Sequence, residues 1–419
     1  MKLRKITALM MAAVLLFSLA GCKNGQENGE ETTEQTTQKV VVDTEETIIL
    51  WYTDAFLTEY LEKCVADFTA ENPLVTINLK LMSSSDYLEN VNTECIKSSD
   101  KVDLYVLSNC DLEQAYLAGL TTEVTDTDIY NEENYGSAAI SSVTYKNKMI
   151  AYPFWFDSAF MVYNQDYTDT APQTFQDILD FANNLIIEDE NSVLYNIESV
   201  LRWDVSDIEL NYQFLSDYFT VGGDNGDNRE DTDMCNDYAA NSMAYYQSLS
   251  DFFAIDRKDV TYTSSIDYFI NGKSVFTIAR ADALSKLNDA KMNYAVCRMP
   301  DITAELPASA LSETDVVVVN PYSDNVELAK LIAQAVTYDY AGSFYELTGS
   351  FPAYSGWEYD SAVIDGVYDN YRNSISKAKF INMGDFYTRL EIMMHSIWDG
   401  EDIYDQLTLF KEYATEQLN

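Results

Sequence analysis

The chain has 419 residues, 47% of them hydrophobic and 13% aromatic, and a net charge of −43 from 69 acids against 26 cations. Such a composition describes a solvated globule with a substantial core, and its charge disfavours nucleic acid and anionic lipid as partners. With a single histidine, His395, a histidine-rich metal site is excluded and a Ser-His-Asp triad has only that residue to use.

The first residues bear on the compartment. Lys2, Arg4 and Lys5 precede an apolar run from Ile6 to Leu19, and Ala20, Gly21 and Cys22 follow it. At ~14 residues the run is short for ~30 Å of hydrocarbon, and small residues stand where a signal peptidase needs access, so residues 1–21 read as a signal peptide. Leu19-Ala20-Gly21-Cys22 resembles the bacterial lipobox, which implies lipid on the Cys22 sulfur and Cys22 as the mature N-terminus. Removing residues 1–21 takes away three cations and no acids, which lowers the net charge from −43 to −46. Residues 22–46, with Gly, Gln, Asn, Glu and Thr but no aromatic residue, read as a flexible tether reaching ~25–30 Å. Cys64, Cys95, Cys110, Cys235 and Cys297 are odd in number and show no C-x-x-C, so neither a disulfide framework nor a zinc site is indicated. Cys64 and Cys95 fall on apolar helical faces and read as buried thiols.

Beyond the tether, strands and helices alternate. Ile48–Tyr52 reads as a buried strand, and Leu57, Tyr60, Leu61, Cys64, Val65 and Phe68 recur at helical spacing until Asn72-Pro73 stops them. Val75, Ile77, Leu79 and Leu81 alternate as a second strand. Ser85 can cap a helix carrying Leu88, Val91 and Cys95, and Asp103–Leu107 is a third strand. This opening implies a mainly parallel sheet whose ligand crevice lies at the carboxyl ends of its strands. A hairpin turns at Lys146-Asn147-Lys148 and leads into Pro153-Phe154-Trp155. A strand Phe160–Tyr163 follows, then a helix capped by Thr174 with Asp177. Helices are expected at Asp207–Phe219 and Ser242–Phe253, strands at Val275–Ala279, Tyr294–Arg298 and Asp315–Val319, and helix throughout from Tyr359. A body this long is too large for one core, so two lobes of α/β character are expected.

The ordered fragments Ile49-Leu50-Trp51-Tyr52, Ala66-Asp67-Phe68 before Asn72-Pro73, Asp103-Leu104-Tyr105, Ala151-Tyr152-Pro153, Tyr163-Asn164, Pro172 with Thr174-Phe175, Phe269-Ile270-Asn271-Gly272-Lys273 and Val319-Asn320-Pro321 span nearly the whole body. Together they resemble the family 1 extracellular solute-binding proteins, the group that includes maltose-binding protein. The resemblance implies an α/β, two-lobed periplasmic-binding-protein-like fold of the type II, Venus-flytrap kind, with interleaved lobes and a helical C-terminus. The expected N-terminal lobe is 47–156 with 310–351, and the C-terminal lobe is 157–309 with 352–419. Crossings are expected near Trp155–Ala159, Pro307–Ser312 and Phe351–Tyr354. The implied function is capture of a carbohydrate between lobes that close on it, and delivery to the permease of an ABC importer, with no cofactor and a monomer as the expected form.

Carbohydrate sites combine aromatic faces with carboxylates and amides in a largely buried cleft. The candidates at strand ends and crossings are Trp51, Tyr52 and Asp54; Asn109 and Asp111; and Trp155 and Asp157. For Trp51, core packing under the sheet competes with ligand contact. Arg280 and Asp282 follow the strand after Gly272; Arg280 fits an acidic sugar bidentately, but a structural ion pair is its preferred role. An aromatic platform common near the position of Asp282 in sugar-binding relatives is lacking, which weakens a maltodextrin assignment. Trp357, Phe386 and Tyr387 complete the aromatic candidates. The acidic segment 224–233 fails the EF-hand pattern and reads as a solvated loop, so no metal site is expected. A carboxylate-pair glycosidase, and a surface sensor or adhesin on the same fold, stay open as alternatives.

Overall fold

Along the first strand, Glu46–Tyr52, residues Ile48, Leu50 and Tyr52 enter one core while Ile49 and Trp51 enter another on the opposite face. A strand apolar on both faces has to be covered on both. In the computed structural model, which describes residues 42–97, 101–186, 192–381 and 383–418, helices provide that cover. Tyr60, Leu61, Cys64 and Phe68 of the helix Thr58–Glu71 pack on one side, and the Asn72 amide donates to the Phe68 carbonyl at 2.9 Å where Pro73 ends the helix. The neighbouring strand Val75–Leu81 buries Val75 and Ile77 but exposes Thr76 and Asn78, as an edge strand covered on one face does.

The larger sheet runs Phe351–Pro352, Tyr152–Ser158, Leu311–Val319, Leu104–Ser108, Glu46–Tyr52, Val75–Leu81, with Ile375–Ser376 added beside Leu311–Ser312. It is mixed, not mainly parallel. The three early strands pair parallel, but Leu311–Val319 returns antiparallel between Leu104–Ser108 and Tyr152–Ser158. The smaller sheet runs Tyr294–Cys297, Phe160–Asn164, Ser274–Ala279, Ser199–Leu201. The chain passes from large to small sheet at Ala159, returns between Cys297 and Leu311, and leaves again after Pro352. There the helix Ala362–Arg372 lies on strand Tyr294–Cys297, so closely that a Cβ on Gly366 would collide with the Val296 carbonyl oxygen. One core therefore runs continuously from the large sheet, through Phe156, Phe351 and Tyr371, to Tyr294 and Val296 of the small one. A second lies beneath the small sheet around Trp203, Tyr246 and Trp398.

Several local expectations hold. Thr174 and Asp177 form the capping box, with the Asp177 amide donating to Thr174 Oγ1 at 3.1 Å and the Thr174 amide to Asp177 at 2.8 Å. The hairpin turns at Lys146 and Asn147, both at positive φ. Cys64 and Cys95 are buried free thiols, and burial pushes both up to about 12.

Others are corrected. The span Asp207–Phe219 is not one helix but three short 3-10 turns, because the Asn211 amide bonds the carbonyls of Asp204 and Asp207 and the Gln213 amide that of Leu210, competing with helical pairing. The next helix begins at Asp237, capped by Asn236, and not at Ser242. The residue preceding helix Tyr87–Cys95 is Asp86, left-handed at φ 55°, and Ser85 does not cap it. The four-valine strand starts earlier, at Leu311. The C-terminal region is broken by strand Ile375–Ser376 before helices Met383–Trp398 and Ile403–Leu418.

Candidate functional site

A cleft of about 590 Å³ opens where the strands of the large sheet end. Thr53 and Asp54 follow the first strand into it, Ser108 ends the third, and Asp111 follows it. Alternation on two antiparallel neighbours brings four more side chains in together: Asp157 stands opposite Glu313, and Trp155 opposite Asp315. From the small-sheet half come Glu209 and Arg280, and from the segment after Ile375–Ser376 comes Lys377. Asp86, Tyr87 and Glu89, at the start of their helix, close the far wall.

Both cations are already engaged. Arg280 pairs with Asp207 at 3.0 Å and Glu209 at 2.7 Å, the structural role preferred for it from the sequence. Lys377 lies 2.5 Å from each of Glu209 and Glu313. Burial alone would raise the Glu209 carboxyl, but Lys377 and then Arg280 outweigh it and hold the group below its ordinary value. Asp157 has no such partner, and burial pushes it up to about 7 against the pull of Arg280, with Glu209 and Asp282 adding repulsion. Asp315 is also driven up by burial, then by Glu313 and Asp54, with the Trp155 indole opposing. Burial and Glu313 raise Asp111 in the same way.

Of the residues singled out from the sequence, the cleft brings together Asp54, Asp111, Trp155, Asp157 and Arg280. The others lie elsewhere. Trp51 is 5% exposed and packs on Tyr87 in the core behind the sheet, ring centroids 6.4 Å apart, because its strand is buried on both faces. Tyr52 is buried in the opposite core, its hydroxyl 3.0 Å from Thr58 Oγ1. Asn109 is a fully buried joint, donating to the Lys377 carbonyl at 2.9 Å and accepting from the Thr314 amide at 3.1 Å. Asp282 is exposed one turn outside the cleft and accepts from the Tyr262 hydroxyl at 2.5 Å. Trp357 is 41% exposed, against Gly342 and Tyr354. Phe386 lies in the core beneath the small sheet. Tyr387 lines a different hollow of about 300 Å³ with Tyr212 and Ser376. Cys22 lies outside the described residues.

A family model described as "Bacterial extracellular solute-binding protein" matches residues 63–364. The chain belongs to this family. It is 22% identical over 432 residues to the maltodextrin-binding protein MdxE of Bacillus subtilis (strain 168), covering 99% of both chains. Its fold resembles an extracellular solute-binding protein from Staphylococcus aureus in complex with maltose, with a TM-score of 0.79 at 16% identity over 90% of this chain and 99% of that one. A cyclo/maltodextrin-binding protein complexed with maltotetraose gives 0.76 at 15% identity over 91% and 99%. The maltose-binding periplasmic protein MalE from Listeria monocytogenes, in complex with maltose, gives 0.73 at 18% identity over 89% and 98%. At these identities the structural likeness speaks for the fold.

As an extracellular solute-binding protein the chain is a binding protein and not an enzyme, and among the described residues no helix is long and apolar enough to cross a membrane. Sequence reasoning missed Tyr87, Glu209, Glu313, Asp315 and Lys377 in this cleft. Glu313 and Asp315 were within reach, since two acids at i and i+2 share a strand face beside Val316–Val319. Lys377 carried no such signal, because it follows a two-residue strand that only long-range pairing creates.

The acidic segment 224–233 is anchored, not merely solvated. Ser141 Oγ donates to the Asp224 carbonyl at 3.0 Å, the Lys146 amide to Asp227 at 2.5 Å, and Arg229 pairs with Glu113 at 2.5 Å. Buried Lys379 donates to the Asn225 carbonyl and to the Ser141 carbonyl, and burial lowers its ammonium to about 8.

Proposed function

We propose that this extracellular solute-binding protein captures a carbohydrate in the cleft and presents it to the permease of an ABC importer, held at the membrane by lipid on Cys22. The observation that carries the reading is Trp155 set among Asp54, Asp157 and Asp315 in the cleft, an aromatic face beside hydroxyl acceptors. The relatives named for maltodextrin and the neighbours solved with maltose or maltotetraose support it. The lobes in this reading are 47–156 with 310–351 and 157–309 with 352–419, and closure between them gives the bound form its extra contacts.

Thermal-shift measurement against a panel of oligosaccharides, peptides and polyamines tests this. A ligand at a hundredfold excess over its dissociation constant adds about 2.7 kcal/mol of stability. Stabilisation by at least one sugar is expected; stabilisation by peptides or polyamines alone would assign another solute class.

A further inference from the structure

The charge of the cleft goes beyond what neutral sugar recognition calls for. Eight carboxylates line it against two cations, and those two are taken up by Asp207, Glu209 and Glu313. Asp54, Asp86, Glu89, Asp111, Asp157 and Asp315 make no ion pair among the described residues. Sugar hydroxyls bond carboxylates but do not neutralise them; burial drives Asp157 and Asp315 toward their protonated form, but lobes closing over Asp54, Asp86, Glu89 and Asp111 would still set unpaired negative charges against one another at reduced dielectric. A positive charge on the ligand removes that penalty. A second observation lies at the wall of the same space: Tyr87 lines the cleft at 8% exposure, and its hydroxyl, buried behind that wall, has no hydrogen-bond partner. Such a group is satisfied by a polar ligand. Trp155 supplies a flat apolar wall, which suits a ring and not a bare aliphatic polyamine.

Building on the proposed carbohydrate site, we infer that its ligand is a cationic amino sugar, an oligosaccharide whose free ammonium groups face the unpaired carboxylates of Asp54 and Asp111 while a ring face lies on Trp155. Asp54 and Asp111 follow neighbouring parallel strands into the cleft, and each offers a carboxylate without an ion-pair partner among the described residues.

Calorimetric titration near neutral pH with the β-1,4-linked glucosamine tetramer, its fully N-acetylated counterpart, maltotetraose and spermidine tests the inference. The glucosamine tetramer is expected to bind at least about tenfold more tightly than either neutral tetramer, and the double variant Asp54→Asn, Asp111→Asn to shrink that preference to less than about threefold. The ratio of affinities is read within one protein sample, so a general loss of folding does not mimic the result. A neutral tetramer binding as tightly as the glucosamine tetramer would overturn the charge inference and leave the carbohydrate reading standing. Binding of spermidine without any sugar would overturn both, and failure of the glucosamine tetramer to bind would overturn the inference whatever else binds.

Discussion

The ammonium of Lys377 lies 2.5 Å from the carboxylate of Glu209, and this pair, extended to Glu313 at the same distance, joins the small-sheet half to the central strand of the large sheet. Lys377 is 8% exposed, and its loss leaves Glu313 without an ion-pair partner and Glu209 with Arg280 alone, both carboxylates 35% exposed. Lys377→Met is expected to cost about 1–3 kcal/mol at neutral pH, measured by denaturant unfolding. The sign with pH follows from Glu209, whose folded value is held below its ordinary one. Its stabilisation is present above the usual carboxylate range of ~4.3 and disappears as pH falls through the lowered value, so the cost of Lys377→Met should shrink in acid. A cost unchanged by acid would assign Lys377 a packing role alone.

Asp157 behaves in the opposite sense. Its folded carboxyl is raised to about 7, facing Arg280, Glu209 and Asp282 and standing across the strand from Glu313. The folded state therefore holds a proton that the unfolded chain releases near ~3.9, and wild-type stability falls as pH rises between those values. Asparagine keeps the shape without titrating. Asp157→Asn should melt above wild type at mildly alkaline pH, and the gap should narrow as pH falls below about 7 and close only near ~4. Equal melting temperatures at both would mean that Asp157 is hydrated enough to ionise freely.

Attachment through Cys22 rests on the residues around it in the sequence. Cys22→Ala should shift the protein from washed membranes to the medium, followed by fractionation and immunoblotting. Retention in the membranes would require another anchor.

The parts of this fold written in local pattern were the most legible. Tyr60, Leu61, Cys64 and Phe68 declare an inward helical face by spacing alone, and Thr174 with Asp177 declares a helix start. Asp54 and Asp111 were legible as site residues because the crevice of a sheet lies at its strand ends, and Trp155 and Asp157 from their place at the first crossing, although both lie within the strand Tyr152–Ser158 that leads to it. Trp51 and Asn109 occupy similar positions in the chain but turn inward, since strand alternation and the second core decide which face a side chain joins. Glu209 and Lys377, 168 residues apart, meet only through the interleaving of the chain, which no local window contains.

Trp155 separates binding from stability. It lines the cleft half-buried at the edge of the large core, with Phe56 edge-on at 5.1 Å as its aromatic neighbour. Trp155→Ala should weaken ligand binding by on the order of 1–3 kcal/mol, a tenfold to hundredfold loss, with little change in melting temperature. Truncation of a core aromatic would instead cost ~3–5 kcal/mol of folding stability. Calorimetry and melting curves on the same variant distinguish the two, and an unchanged affinity would remove Trp155 from the site.

Asn370 holds two crossings at once. It is 2% exposed in the helix Ala362–Arg372, where its oxygen accepts from the Met299 amide at 2.9 Å and its amide donates to the Ala159 carbonyl at 2.9 Å and to Ser158 Oγ at 3.1 Å. Ser158 and Ala159 are the first passage between sheets, and Met299 begins the second. Asn370→Ala leaves a buried donor and a buried acceptor unpaired, each worth about 1–3 kcal/mol. Asn370→Asp keeps the acceptor for Met299 but presents no donor to Ala159, so it should not restore stability at neutral pH. Asn373→Ala, one turn on and exposed, loses only bonds within its own helix and should stay within about 0.5 kcal/mol of wild type. If Asn370→Ala unfolded at the same denaturant concentration as Asn373→Ala, the crossings would be held by the packing of Phe156 on Tyr371, whose rings stack 3.5 Å apart, and not by this amide.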